Sequence, residues 1–487
     1  MSDLPIFAFV GHPNVGKTSV LSTLAECDTA EIDRTPGTTK VNIRYPLEID
    51  GKTLIQLVDT PGFDHHQDMV EWFENNYSKY SNPAQAFIEE YIKQPRYDHD
   101  CRIMKIIADG AIVLYVVDDS NPVRQADKNE MRILSLAGGS RMAVINSHKE
   151  SGKTREKWLR ELRPNFSIIR QFNAHNSWYP ERKELLKAIR EVDDDFRQRI
   201  DSCLQALAAD WNNRLRVAAE AITELLRNCL KYRVSENIKG LSDEAIDKKR
   251  RELEEKYRNE VRRQISVTER KIRKLFKHTL WQKKLDEHPV RSGDIFAEEI
   301  VKALGMTRWQ LTVATALVGA AIGGSIDAMM CGTTFLTGTI VGAAGGVLTG
   351  YFSTSTLVDV EIPNRLMSMI LPSSDKDIQV MAVDNPNFVA VILDWMLLYC
   401  HEAMRWSHAR RDNNEAKNSK VGFVHQISRQ ELAIQAAFIA WVKKGKTSNA
   451  FPDPMKNFKE FIVELLKKIS NGRLLPETKN EKSLPDA

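Results

Sequence analysis

Residues 11–18 read GHPNVGKT, and this octapeptide decides the fold. It matches G-x-x-x-x-G-K-[ST], in which the glycines let backbone N–H groups wrap a phosphate chain. The lysine reaches the outer phosphates, and the final hydroxyl turns to Mg2+. Such a match carries weight only between a strand and a helix. Here the apolar run IFAFV (residues 6–10) precedes it and a helical stretch follows, which supplies that context. Lys17 and Thr18 are therefore expected to hold phosphate and Mg2+, with Asn14, Val15, Gly16 and Ser19 lining the same loop.

Working outward, the first 190 residues alternate short apolar runs with helical stretches, the pattern of a mostly parallel sheet with helices on both faces. Strands are expected at Ile6–Val10, Thr53–Asp59, Ala111–Asp118, Met142–Asn146 and Ile168–Phe172. Open α/β sheets bind ligands beyond the carboxyl ends of their strands, so the loops after these runs are where chemistry belongs. DTPG (Asp59–Gly62) ends the second run. Asp59 there can hold Mg2+ through water, and the Gly62 N–H can meet a γ-phosphate. RTPGTT (Arg34–Thr39) lies between the two loops, and Thr39, rather than Thr38, is expected to close on Mg2+ when a γ-phosphate is present. The plainer reading of that segment is a Pro-Gly turn with polar flanks.

In this order and spacing, GHPNVGKT, PGTT and DTPG resemble the TrmE/Era/EngA branch of translation-factor-class GTPases. The resemblance implies a P-loop G domain of five or six strands that binds GTP or GDP with Mg2+ and hydrolyses slowly until stimulated. In Ras-like relatives a glutamine after the glycine of this second motif orients water, whereas Phe63 stands there in this chain. The catalytic group must then come from elsewhere. Asp64, His65 and His66 are the nearby candidates, and His65 joins Lys17, Thr39 and Gly62 in the expected catalytic set. The family reads guanine through Asn-Lys-x-Asp, whose aspartate accepts two hydrogen bonds from the base. The stretch AVINSHKE (residues 143–150) retains Asn146 but sets Ser147 at the lysine position and Lys149 at the aspartate position. Lysine offers no acceptor. Glu150 would supply a carboxylate if the loop shifted by one residue. FNAHN (Phe172–Asn176) occupies the place of the family's Ser-Ala-Lys loop, where Asn173 and Ala174 could present a backbone N–H to a base carbonyl. Base preference stays open at this level.

At 487 residues the chain has room for two to four domains, and 42% apolar with 28% charged residues excludes wholesale disorder. Six scattered cysteines without a C-x-x-C point to reduced thiols, and the N-terminus lacks an export signal, so a cytoplasmic protein is expected. The net charge of +4 conceals an asymmetry, since residues 248–284 hold fifteen Lys/Arg against five Glu. That basic helix could meet anionic lipid or RNA, or could be a solvated face carrying intrahelical ion pairs.

The expected organisation is a G domain at 1–193, a long amphipathic, basic helical region at 194–306 and a glycine-rich apolar helical hairpin at 307–358. A C-terminal helical domain at 359–472 and a disordered tail at 473–487 follow. Ser242 reads as an N-cap, after which Ile246, Leu253, Tyr257, Val261, Ile265, Ile272 and Phe276 recur at helical spacing. Gly338, Gly342, Gly346 and Gly350 would line one helix face and admit a close partner. Three readings compete for residues 309–358: a hairpin in or on a membrane, a buried hairpin, and a homo-oligomer surface. Asp327 restrains the first, which would place the protein peripherally or integrally at the inner membrane. HEAMR at His401 is not the H-E-x-x-H zinc motif, and His401, Arg405 and His408 read as a polar helix face.

Beyond residue 194 the glycine-rich block and VDNPNFVAVILDWMLLYCHEAMRWSHARRD resemble the uncharacterised C-terminal domain family 3482, which follows such G domains in proteobacterial proteins. It brings no established activity. TrmE itself carries a folate-binding domain and a C-terminal cysteine motif, neither of which is found here, so its tRNA chemistry is not expected. The reading is a slow, regulated GTPase acting as a nucleotide-dependent switch. The alternatives are an RNA- or ribosome-associated assembly GTPase in the manner of Era and a dynamin-like membrane-remodelling GTPase.

Overall fold

The computed structural model describes residues 4–28, 42–147, 152–279, 368–374, 377–382, 386–409, 422–423, 426–444 and 453–475. The strands that open it are β1 (Ile6–Val10), β2 (Ile43–Ile49), β3 (Lys52–Asp59), β4 (Ile112–Val117), β5 (Arg141–Asn146) and β6 (Ile169–Phe172). They form one sheet in the order β2-β3-β1-β4-β5-β6, parallel except for β2. Four residues of β1 and all of β4 are buried. That is the near-continuous apolar run demanded of strands covered on both faces.

Five of the six strands are those read from the sequence, each within two residues at its ends. β2 is the addition. IRYPLEI carries charges and Pro46, which removes a ladder donor and confines such a strand to an edge, where β2 lies. Its turn into β3 uses Asp50 and Gly51, both at positive φ, the pairing that tight hairpins favour. One face of the sheet buries Phe73, Phe87, Met104, Tyr115 and Trp158; the other buries Phe9, Leu21, Leu24, Leu57 and Leu186.

The helices of this part are α1 (Lys17–Ala25), α2 (His66–Asn76), α3 (Pro83–Tyr91), α4 (Asp98–Ala108), α5 (Gln125–Ala137), α6 (Gly152–Leu162) and α7 (Tyr179–Arg190). Farther on the chain is mainly helical: α8 (Asp194–Lys231), α9 (Asp243–Leu275), α10 (Pro386–Arg405), α11 (Arg429–Lys444) and α12 (Pro454–Ser470). α9 buries Leu253, Tyr257, Val261, Ile265 and Ile272, the stripe its periodicity predicts. A small antiparallel sheet, in the order β7 (Arg233–Asn237), β9 (Asp377–Ala382), β8 (Ser368–Ser374), was not legible beforehand.

By internal contacts the chain forms two compact units. One combines Met1–Asn213 with Phe276–Trp281 and Met404–Asn413; the other comprises Arg214–Leu275, Gln282–Ala403 and Asn414–Ala487. The glycine-rich block at 307–358 lies outside the described residues. Among the described residues no helix is long and apolar enough to cross a membrane. Cys101, Cys203, Cys229 and Cys400 are free and buried, and burial pushes the Cys203 and Cys229 thiols up to about 12.

Candidate nucleotide site

β1 ends at Val10, and the chain then turns on residues that tolerate a left-handed backbone. Gly16 has φ +89 and Asn14 φ +68, while Gly11 has φ +147. A Cβ on Gly11 would stand 2.3 Å from the Val116 carbonyl oxygen, and one on Gly16 would stand 2.2 Å from Nδ2 of Asn146. The loop is therefore packed so closely that only glycine fits at either end. Gly16 caps α1 and has no side chain to satisfy the first-turn N–H groups, the kind of helix start at which anions bind.

Lys17 Nζ is buried and donates to the carbonyls of Gly11 (2.7 Å) and His12 (3.1 Å). Burial lowers its pKa, while the carboxylates of Asp59 and Glu130 oppose that shift. Below it, Tyr115 donates its hydroxyl to Glu130 Oε2 at 3.0 Å. Burial pushes the Glu130 carboxyl up to about 8, against the pull of Lys17. Thr18 Oγ1 donates to Asp59 Oδ2 at 2.6 Å, joining the start of α1 to the end of β3. Two hard oxygen groups are thus paired beside a phosphate loop, the donor chemistry Mg2+ takes. Gly62 sits against the loop, since a Cβ there would meet Pro13 Cδ at 3.0 Å. Ser19 and Val15 are buried in the same neighbourhood. Thr39 and the rest of RTPGTT lie outside the described residues.

Phe63 is buried in the core beneath the sheet and is not available to water. Of its three neighbours, His65 is held most tightly. Its Nδ1 lies 2.9 Å from Oδ2 of Asp100, whose other oxygen accepts the Asp64 N–H at 3.0 Å, and its ring lies 4.9 Å from that of Tyr97. Asp64 pairs instead with His99 at 3.0 Å, and His66 faces Asn129 at 3.2 Å. Asp100 and Tyr97 come from the α4 region, so no local spacing could have announced them.

In the base half, Asn146 is fully buried. Its Nδ2 donates to the Val15 carbonyl (3.1 Å) and its Oδ1 accepts the Ala174 N–H (3.1 Å), tying the phosphate loop to FNAHN. Asn173 spends its carboxamide oxygen on the N–H groups of His175 and Asn176. Ser147 donates to Oδ2 of Asp119 at 2.7 Å, and Arg155 of α6 pairs with the same buried carboxylate at 2.8 Å. Lys149 and Glu150 lie outside the described residues.

The carbonyl of Ala174 accepts hydrogen bonds from Thr23 (2.9 Å) and from Ser407. The expected polar face of HEAMRWSH is therefore corrected, because its histidines are interior. His401 is buried beside Glu402, Arg405 stacks 4.9 Å over Trp178, and His408 is buried against Asp28. Burial holds the His408 imidazole down, to about 4, despite that carboxylate.

Residues 6–147 match the family model described as 50S ribosome-binding GTPase, and residues 160–467, more than half of the chain, match that described as a domain of unknown function, DUF3482. The tRNA modification GTPase MnmE of Lactobacillus johnsonii is 29% identical over 170 residues, 34% of this chain and 31% of that protein. GTPase Der of Pseudothermotoga lettingae is 30% identical over 142 residues, 29% of this chain and 28% of that protein. The chain thus spans less than a third of the length of each of these two curated relatives. A crystal structure of Era in complex with MgGDPNP and a segment of 16S ribosomal RNA aligns at 16% identity with a TM-score of 0.28, covering 48% of this chain and 72% of that one. The phosphate loop, the Thr18–Asp59 pair and the two family matches lead to one assignment: the chain belongs to the DUF3482 family and carries that domain behind an N-terminal TrmE/Era-type GTPase domain.

Proposed function

We propose that the chain is a GTP-binding switch that hydrolyses GTP slowly until stimulated. The observation that carries this reading is the hydrogen bond between Thr18 and Asp59, set beside the buried Lys17 at the carboxyl end of the sheet. Bound Mg2+ would neutralise charge on the outer phosphate oxygens, with Thr18, Asp59 and Thr39 as the residues to hold it. Lys17 exchanges its two loop carbonyls for phosphate oxygens, and the Gly62 N–H registers the γ-phosphate beside Pro13. Asn146 keeps the phosphate loop and the Ala174 loop in register for the base.

In place of the missing glutamine, His65 is the residue that orients water. With Nδ1 engaged by Asp100, Nε2 is the nitrogen left to receive a hydrogen bond from the attacking water. Asp100 is a positioning residue. The test is single-turnover hydrolysis with His65→Gln and Asp100→Asn, alongside GTP binding by the same variants. A fall of roughly 10-fold to 100-fold in the rate at unchanged affinity is expected. Unchanged rates in both would remove His65 from the mechanism.

The place of action in this reading is a membrane surface, reached from the cytoplasmic side through 309–358 and the basic face of 248–284. Liposomes of anionic lipid should then raise the hydrolysis rate. RNA that co-purifies through moderate salt would favour an assembly factor instead.

A further inference from the structure

Asp28, His278 and His408 each lie three positions beyond the last residue of a helix: Ala25 of α1, Leu275 of α9 and Arg405 of α10. Three chain segments remote in sequence thus deliver one side chain each to a single buried point within one compact unit. Among the described residues these are the side chains of metal-ligating type that converge, one ligand atom from each lying within 4.8 Å of the others.

The carboxylate is divided between two tasks. Its Oδ2 accepts the Thr279 N–H at 2.6 Å and lies 3.3 Å from the Thr279 hydroxyl, which fixes the plane of the group. Its Oδ1 faces the histidines, hydrogen-bonded to Nδ1 of His408 and 3.9 Å from Nδ1 of His278. The two imidazoles stack with centroids 4.5 Å apart, tilted by 24°. The backbone beneath them is fastened as well: the Ser22 hydroxyl lies 2.6 Å from the Cys27 carbonyl and 3.1 Å from that of His408. The neighbouring Glu26 is occupied by Arg182 at 2.6 Å and Lys277 at 3.4 Å, which leaves Asp28 as the anion of the cluster.

We propose that Asp28, His278 and His408 form a site for a divalent transition-metal ion of the zinc class. Two imidazole nitrogens and one carboxylate oxygen form a borderline donor set that suits Zn2+ and disfavours Mg2+, which the oxygens of Thr18 and Asp59 would hold. Tetrahedral Zn2+ with bonds near 2.0–2.1 Å wants ligand atoms about 3.4 Å apart, so the ion would part the hydrogen-bonded Asp28–His408 pair and draw His278 in from 3.9 Å. The fourth position falls to water or to the Thr279 hydroxyl. Asp28 is the last residue before 29–41, the segment that carries RTPGTT, whereas both histidines belong to the stretch matched as DUF3482. The ion would fasten the chain just beyond α1 to the chain just beyond α9 and α10, within the one compact unit that holds all three residues.

The test uses the full-length, nucleotide-free protein stripped with a chelator and titrated with Co2+. One equivalent is expected to develop the intense visible bands of four-coordinate cobalt, which an octahedral oxygen site does not give, and Zn2+ should bleach them. His278→Gln and His408→Gln should each weaken binding at least tenfold, whereas the half-buried His99→Gln, outside the cluster, should leave it intact. A thermal melt of the wild type should also rise with added Zn2+. Folded wild-type protein that shows neither the bands nor the rise would overturn the proposal and leave a buried histidine–aspartate hydrogen bond. Bands that persist unchanged in a folded His278→Gln/His408→Gln double variant would overturn it equally.

Discussion

Lys17 is a buried cation whose donors are held by the carbonyls of its own loop, ready to be taken over by phosphate. Charge-assisted hydrogen bonds contribute about 1.5–3 kcal/mol, so Lys17→Ala should weaken GTP binding by roughly 10-fold to 100-fold by calorimetry. Glu130 beneath it gives a pH signature. Its carboxyl moves from an ordinary 4.5 to about 8 in the fold, so between these values the folded form keeps a proton that the unfolded chain has released. Stability is fully present below about pH 4.5 and falls as pH rises through 8. Denaturant titrations of nucleotide-free protein should show that decline in the wild type and a flatter profile in Glu130→Gln. Lys17, Thr18 and Asp59 were legible because a motif fixes both their spacing and their chemistry. Asp100, Glu130 and Asp119 were not, because each is brought in by the sheet from an element with no motif of its own.

At the scale of elements, Asn146 is the tie between the end of β5, the phosphate loop and the loop after β6. Asn146→Ala leaves the Val15 carbonyl and the Ala174 N–H buried without it, which should cost about 1–3 kcal/mol in urea unfolding and weaken nucleotide binding in parallel. A second tie joins α7 to the end of α1, where the buried Arg182 guanidinium pairs with Glu26 at 2.6 Å and donates to the Leu24 carbonyl at 3.1 Å. Arg182→Met strands a buried carboxylate, and a loss near the lower end of about 3–5 kcal/mol is expected because Lys277 remains as a partner. Strands buried on both faces and the seven-residue beat of α9 could be read from the sequence, since burial writes itself into apolar spacing. β2 could not, because an edge strand with Pro46, Arg44 and Glu48 carries little of that signal. His408 misled the reading for the opposite reason: polar spacing along HEAMRWSH implies a wet face, yet Asp28, 380 positions away, makes its burial tolerable.

Across the whole molecule, Lys17, Thr18, Asp59 and Gly62 gather at one end of the sheet, whereas the described residues of the expected base half make contacts within the protein. Ser147 is turned to Asp119 and Arg155, while Asn146 still joins the two loops that would flank a base. The central claim, that this chain is a guanine-nucleotide switch, is most directly tested by equilibrium binding of labelled GTP, GDP and ATP with Mg2+, wild type against Lys17→Ala. The account predicts that GTP and GDP bind at least tenfold more tightly than ATP, about 1.4 kcal/mol, and that Lys17→Ala weakens this binding by roughly 10-fold to 100-fold. ATP binding as tightly as GTP, or affinity indifferent to Lys17, would contradict it.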